Sequence, residues 1–352
     1  MKKRVLFILK RREDYDLVKH NAKGLSTGLY NSASFMDQML KDSGIESEME
    51  VAIDNNCIDK LVTKHRPTHV IIEALWVVPS KFYILTKLHP KITWIIRLHS
   101  EMPFLAGEGI AMNWIGDYFT FPNIILGINA PRMMHEIKNY AKIKMGWDKD
   151  KIKEKIVYMP NYYPQDYVTK EFNKDKKHLD ICCFGAVRPL KNHLLQAFGA
   201  LDSCKILNKK LRFHINAGRI EMKGDAVLHN LRGLFIQLID SGHEMISHEW
   251  RPREQFLELC ATMDIGLQVS FSETFNIVGA DLISQGVPLV GSNEIPWSCK
   301  EFNANPVDSK NIAEQIIKAY NFPQQNVGIN QKNLTNYTNN TRDIWVKYFN
   351  GE

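Results

Sequence analysis

Short runs of nearly unbroken apolar residues recur along this chain, separated by stretches with helical spacing. The candidate strands are residues 4–9, 68–73, 91–98 and 123–128 in the first half, and 180–184, 212–217, 264–269 and 288–291 in the second. Runs of this kind suit strands covered on both faces, hence a parallel sheet between layers of helices. Apolar residues at helical spacing fall at 32–42, 58–64, 132–141, 192–201 and 254–263. The β-α-β-α order occurs twice, which predicts two doubly wound, Rossmann-like α/β domains facing a cleft. Two prolines, Pro160 and Pro164, and the lysine-rich stretch 169–178 mark an exposed connection. The expected domains are therefore 1–165 and 166–335, with 336–352 a helix returning to the first. Ile344, Trp345 and Tyr348 give that helix its apolar face. The stretch 323–340, rich in Asn and Gln, reads as a loop-rich excursion.

Length supports this division, because 352 residues exceed the usual reach of one hydrophobic core. Composition is that of an ordinary globular protein, with 44% apolar and 24% charged residues. No run approaches the ~18 apolar residues of a membrane span. The N-terminus M-K-K-R-V-L-F-I-L-K-R-R has too short an apolar core for a signal peptide and reads as a first buried strand. A cytoplasmic location is expected, without integral membrane association. The six cysteines agree: none forms C-x-x-C, and Cys182 and Cys183 sit inside a strand as small apolar groups. The net charge of +6, with clusters at 2–4, 10–12, 151–155 and 174–177, fits solvated surface or a polyanionic partner.

The chemistry concentrates in the second half, just after strands, where doubly wound sheets bind ligands. After the strand 264–269 come Ser270, Ser272 and Glu273, then a helical segment carrying Asp281 and ending at Gly286. Read as one helix starting at Glu273, this puts two carboxylates eight positions apart on nearly one face, about 80° beyond two full turns. Its tip offers free N–H groups to an anion. Such an element suits a nucleotide-sugar, with phosphate at the tip and hydroxyls along the side. After the strand 181–184, Gly185 permits a tight turn, and Arg188 and Lys191 are placed to neutralise a pyrophosphate.

These segments resemble the donor-binding domain of GT-B glycosyltransferases, in particular the large retaining family with an E-x7-E motif (glycosyltransferase family 4-like). Glu273 matches the first glutamate, and Asp281 holds the second position as aspartate. Thr274-Phe275-Asn276 stands where the family has a Gly-Phe-Gly-like turn, and Gln285-Gly286-Val287-Pro288-Leu289-Val290 matches its later small-Gly-x-Pro run. Relative to the family's G-R-x4-K segment, Ala186 occupies the arginine position and the arginine is displaced to Arg188. The likeness runs from about residue 180 to 292.

The resemblance implies a role for each of these residues. Asp281 would accept hydrogen bonds from ribose hydroxyls and Glu273 would lie near the transferred sugar. The backbone of Thr274, Phe275 and Asn276 would meet the distal phosphate, and Lys191 and Arg188 would stabilise the departing diphosphate. Gly218, His248 and Glu249 fall where the family holds the base. In the first domain, expected to bind the acceptor, His99 follows a strand and is the candidate facing the sugar. Glu101 and Phe104 are candidates for shaping the acceptor pocket, together with the glycine-bearing segment Gly24-Leu25-Ser26-Thr27-Gly28.

The implied reaction is sugar transfer from a nucleotide diphosphate sugar, a UDP-sugar foremost, with retention, no metal and no cofactor. Asp148-Lys149-Asp150 spells D-x-D, but no strand precedes it and it reads as surface. His243 and His248, five apart, are separated by about 140° on a helix and would not share a metal. The acceptor is open: a saccharide, a lipid, or duplex DNA carrying a hydroxymethylated base. The last follows from a resemblance of residues 73–76 and 97–104 to glycosyltransferase-like phage proteins, which would place the chain in a host cytoplasm. A non-catalytic nucleotide-sugar-binding protein and an epimerase-type enzyme of the same architecture are the alternatives.

Overall fold

In the computed structural model, residues 3–11 and 28–352 are described. The chain divides into two compact units, Met1–Pro164 with Thr338–Glu352, and Gln165–Tyr337.

Unit 1 carries a six-stranded sheet of order β2-β1-β3-β4-β5-β6, every pairing parallel. The strands are β1 (Arg4–Lys10), β2 (Glu46–Ala52), β3 (His69–Glu73), β4 (Thr93–Leu98), β5 (Ile124–Ile128) and β6 (Ile156–Tyr158). Successive side chains point to opposite faces, and both faces are buried. Leu6, Ile8, Val70, Ile72, Trp94 and Ile96 enter one core, while Val5, Phe7, Ile71 and Ile95 enter the other beside Met36, Trp345 and Phe349. This is why the strands read as continuous apolar runs.

Unit 2 carries a five-stranded parallel sheet of order β11-β10-β7-β8-β9. Its strands are β7 (His178–Val187), β8 (Lys210–Ile220), β9 (Glu244–Ser247), β10 (Ile265–Gln268) and β11 (Leu289–Gly291). Helices His193–Ile206, Gly224–Ile236 and Ser309–Asn321 contribute to the core on one face, where Ile181, Cys183, Phe213 and Ile215 meet. Both units are thus doubly wound α/β structures, as the alternation of patterns predicts.

The stretch 323–340 is a correction. A single 28-residue helix runs Pro323–Asn350. Its asparagines are not loop residues. Asn326 is fully buried, and its amide accepts from Leu289 N at 2.8 Å and donates to Leu289 O at 2.9 Å. Asn330 likewise accepts from Cys299 N at 2.8 Å. Each satisfies buried backbone that would otherwise lack a partner.

Candidate functional site

In unit 2 the chemistry gathers at the carboxyl ends of β7 and β10. Gly185 has φ +109°, a left-handed value that a side chain would strain. The chain then turns through Arg188 and a short 3-10 turn, Pro189–Lys191, and Asn192 takes φ 58° before the helix His193–Ile206 begins. This brings the Lys191 ammonium back beside Gly185, its Cε 3.6 Å from where a Cβ would stand on that residue. Lys191 Nζ donates to Glu273 Oε1 at 2.6 Å and to Gln268 Oε1 at 3.2 Å. Both members of the ion pair have side chains only 8% exposed. An ammonium has three N–H donors, so one remains for a ligand.

Gln268, the last residue of β10, ties the cluster together. Its amide donates to Phe184 O at 2.9 Å, and its oxygen also accepts from Asn276 Nδ2 at 2.9 Å. Asn276, at φ 65°, caps the helix Ile277–Ser284 by accepting from Gly279 N at 2.8 Å. Asparagine tolerates this left-handed conformation and supplies the capping oxygen, which explains its place where the resembled family has glycine. Phe275 is buried; its carbonyl accepts from Trp297 Nε1 at 2.7 Å. Thr274 is half-buried. Val278 closes the group, 3.8 Å from the Cβ position of Gly185. A cation, a helix tip and a glycine turn therefore converge.

Three details differ from the sequence expectation. The helix starts at Ile277, so Glu273 lies in the preceding loop and the two carboxylates do not share one helix face. The αL turn at Asn276 interrupts the helix that the eight-residue spacing suggested. Asp281, only 2% exposed, is paired with Arg253 Nη2 at 2.8 Å, a partner the sequence reading did not identify. Arg188 is held by Glu221 at 3.2 Å, in a cluster that also binds Arg219 at 2.7 Å. Gln268 was also missed; a lone polar residue ending an otherwise apolar strand is the signal that marks it.

At β8 and β9, Gly218 is required by close approach: a Cβ there would stand 2.7 Å from Glu249 Oε2 and 3.0 Å from Trp250 N. Arg219 lies over the Trp250 ring at 5.1 Å. His248 follows β9 and stacks on His214, with centroids 5.2 Å apart and planes 9° from parallel.

Unit 1 holds a second buried cluster, at the ends of β3 and β4. Arg97 and Glu73 are both fully buried. Arg97 Nη1 donates to both Glu73 oxygens at 3.1 and 3.2 Å; Nε reaches Met159 O at 3.1 Å, and Nη2 reaches Pro160 O at 3.1 Å and the Asn161 side chain. Trp345 covers the guanidinium at 5.1 Å. His99 Nε2 bonds Glu73 Oε2. Burial works to raise the Glu73 pKa, but the charges of Arg97 and His99 and their hydrogen bonds outweigh it and hold it lowered. The His99 pKa is lowered, by burial first and by Arg97 against the pull of Glu73. Ala74 follows Glu73 at φ 70°, a strained value for a residue with a Cβ.

Of the other unit 1 candidates, Glu101 is buried and accepts from Arg132 Nε at 3.2 Å, and Phe104 is half-buried. Gly28 is exposed at the start of the helix Gly28–Asp42, and Gly24 to Thr27 lie outside the described residues. Asp148 caps the helix Lys149–Lys155, accepting from Lys151 N at 2.8 Å, which gives the D-x-D triplet a structural role. Among the described residues no group of three His, Cys, Asp or Glu side chains is arranged to hold a metal ion, and no helix is long and apolar enough to cross a membrane.

No protein-family model matches the chain, and no curated protein matches its sequence. Solved structures do match its fold. The N-terminal domain of Candida albicans trehalose-6-phosphate phosphatase superposes with a TM-score of 0.71 at 10% identity, covering 100% of this chain and 97% of that one. A UDP-forming trehalose-phosphate synthase from Burkholderia xenovorans gives 0.66 at 10% identity, covering 100% and 98%. HepE from Anabaena, solved with UDP and glucose, gives 0.59 at 12% identity, covering 97% and 96%. At these identities the likeness establishes the fold, the two-domain Rossmann-like GT-B architecture.

Proposed function

We propose that this protein is a glycosyltransferase that moves a sugar from a nucleotide diphosphate sugar to an acceptor hydroxyl. One observation carries the reading. A nearly buried ammonium, Lys191, is held by Glu273 and Gln268 beside a glycine turn and the tip of the helix Ile277–Ser284. The difficult step in such a transfer is departure of the diphosphate, on which negative charge grows as the glycosidic bond breaks. A preorganised cation and helix N–H groups in a dry site stabilise that charge without reorganising. Glu273 holds the ammonium in place at 2.6 Å. The fold supports the reading by analogy, since the Burkholderia enzyme is UDP-forming and HepE was solved with UDP and glucose.

The proposal extends to a UDP-sugar donor, to retention of configuration and to independence from a metal. In a retaining transfer of this type the acceptor oxygen attacks the face from which the diphosphate leaves. The departing phosphate oxygen takes the acceptor proton, so no strong protein base is required. His99, held by Glu73, is proposed to face the transferred sugar. The net charge of +6 and the lysine clusters support an anionic acceptor, hydroxymethylated duplex DNA.

The test is turnover with a panel of nucleotide sugars, offered hydroxymethylated DNA, plain DNA, saccharides and lipids in parallel, with the anomeric configuration of the product read by NMR. Replacing Lys191 with Ala should lower kcat by about 10²–10³. Transfer to DNA should fall steeply with salt. Donor binding without turnover on any acceptor would turn the reading into that of a nucleotide-sugar-binding protein.

A further inference from the structure

Because every strand of unit 1 runs the same way, its sheet has two unlike ends. Glu73 and His99 belong to the carboxyl ends of β3 and β4. The amino-end rim is built by the segments that lead into β4, β5 and β6: the helix Phe82–Leu88, the turn 119–123, and the helices Pro131–Met145 and Lys149–Lys155. Lys155 Nζ fixes the turn, donating to Phe121 O at 3.0 Å and to Ile124 O at 2.8 Å. Aromatic rings join the parts. Tyr83 meets Phe121 at 4.9 Å between centroids, and Phe119 meets Trp147 at 5.1 Å. The Lys144 stem lies against Gly116, its Cε 2.9 Å from where a Cβ would stand on that residue.

Large apolar side chains on this rim stand in water: Tyr83 is 61% exposed, Ile84 54%, Leu88 56% and Ile143 84%. Scattered singly they would be ordinary surface; gathered along one rim they mark an interaction surface. Lysines surround them. Residues 138–155 hold seven lysines against three carboxylates, a surplus of four where the whole chain has +6, and residues 81–91 hold three lysines and no carboxylate. Lys87, Lys91, Lys142, Lys144 and Lys149 are exposed. The mixture selects the partner. Ammonium groups attract the phosphates of a nucleic acid and of a lipid alike. A duplex, however, offers charge and polar edges and leaves aliphatic side chains in water. An anionic bilayer takes both kinds: lysine heads meet headgroups, aliphatic chains reach the acyl boundary, and Tyr and Trp sit at headgroup level.

We infer that the amino-end rim of unit 1 docks on an anionic bilayer surface, its lysines meeting lipid phosphates while Ile84, Leu88 and Ile143 enter the headgroup boundary. The contact is peripheral, since no helix among the described residues is long and apolar enough to cross a membrane. It also leaves the carboxyl ends of β3 and β4, with Glu73 and His99, turned away from the lipid.

The experiment is co-sedimentation of the full chain with vesicles of phosphatidylcholine alone and of phosphatidylcholine mixed equally with phosphatidylglycerol. The anionic vesicles should bind at least about tenfold more tightly than the neutral ones, and the difference should shrink as salt brings the Debye length toward about 3 Å. Lys142→Gln should weaken anionic binding about fivefold, the share of one basic residue at such a surface. Ile143→Ser should weaken it about tenfold, as one aliphatic chain is withheld from the lipid. Both side chains are exposed, so the melting temperature should stay where it is. Absence of binding to anionic vesicles overturns the inference, as does binding that neither folded variant weakens. A loss confined to Lys142→Gln, with plain duplex DNA displacing the vesicles, overturns it in favour of a nucleic-acid surface. Vesicle binding is read without turnover, so each of these failures leaves the proposed sugar transfer standing.

Discussion

Replacing Lys191 with Met separates what the buried ion pair does for the fold from what it does for a ligand. The methionine keeps most of the apolar stem but deletes the ammonium. Glu273, 9% exposed, then loses its 2.6 Å partner. Breaking a buried pair by removing one member costs about 3–5 kcal/mol, because the remaining charge is left uncompensated. In a domain the size of Gln165–Tyr337, each kcal/mol moves Tm by about 2–4 °C, so the expected loss is on the order of 10 °C. Replacing both residues, Lys191→Met with Glu273→Met, removes the orphaned charge and should recover most of that stability, since apolar substitutes of similar volume often match a buried pair. If the proposed function holds, the double variant should nonetheless lack transferase activity and any stabilisation by added UDP. Thermal unfolding with and without UDP, beside turnover measurements, reads both quantities. A single variant whose Tm moves by less than about 1 °C would refute the energetic reasoning. Recovery of turnover in the double variant would refute the proposed role of the ammonium.

In unit 1, Glu73→Ala leaves the fully buried Arg97 guanidinium without its carboxylate and should destabilise by about 3–5 kcal/mol in urea unfolding, while Glu73→Asp should cost less. His193 is fully buried, and burial, with the charges of Lys191 and Arg188, lowers its pKa to about 3. Because the unfolded chain takes up this proton first, its contribution is present above pH ~6.5 and fades as pH falls toward 3, by roughly 4 kcal/mol; His193→Phe should flatten that part of the acid unfolding curve. Gly224→Ala would set a Cβ 2.0 Å from Val187 O, so the helix Gly224–Ile236 must shift against β7, and a loss of about 1–3 kcal/mol is expected by thermal denaturation.

The central strands of both sheets were legible because each is covered on two sides and reads as an unbroken apolar run. The strands that escaped, β2, β6 and β9, are all at sheet edges. β2 is spelled E-S-E-M-E-V-A and is only partly buried, so its pattern lacks the signature of a covered strand. Helical periodicity failed for 323–340 for a different reason: the buried asparagines bond to distant backbone, and no local pattern encodes those partners. At the site, the glycine turn, the lysine and the first carboxylate could be read from their spacing after strands. The pairing of Asp281 with Arg253 and of Arg188 with Glu221 could not, because it depends on which helices and loops the fold brings side by side. The stacking of His248 on His214 was equally hidden, joining a strand residue to one just beyond a neighbouring strand far away in sequence.

The amide of Asn326 meets Leu289 as a neighbouring strand would, filling both a donor and an acceptor on the outermost strand of the second sheet. β11 would otherwise offer these groups as a template on which a foreign strand could grow. One side chain on a helix thus acts as a molecular full stop, ending the sheet at its fifth strand and guarding the folded chain against self-association along that margin.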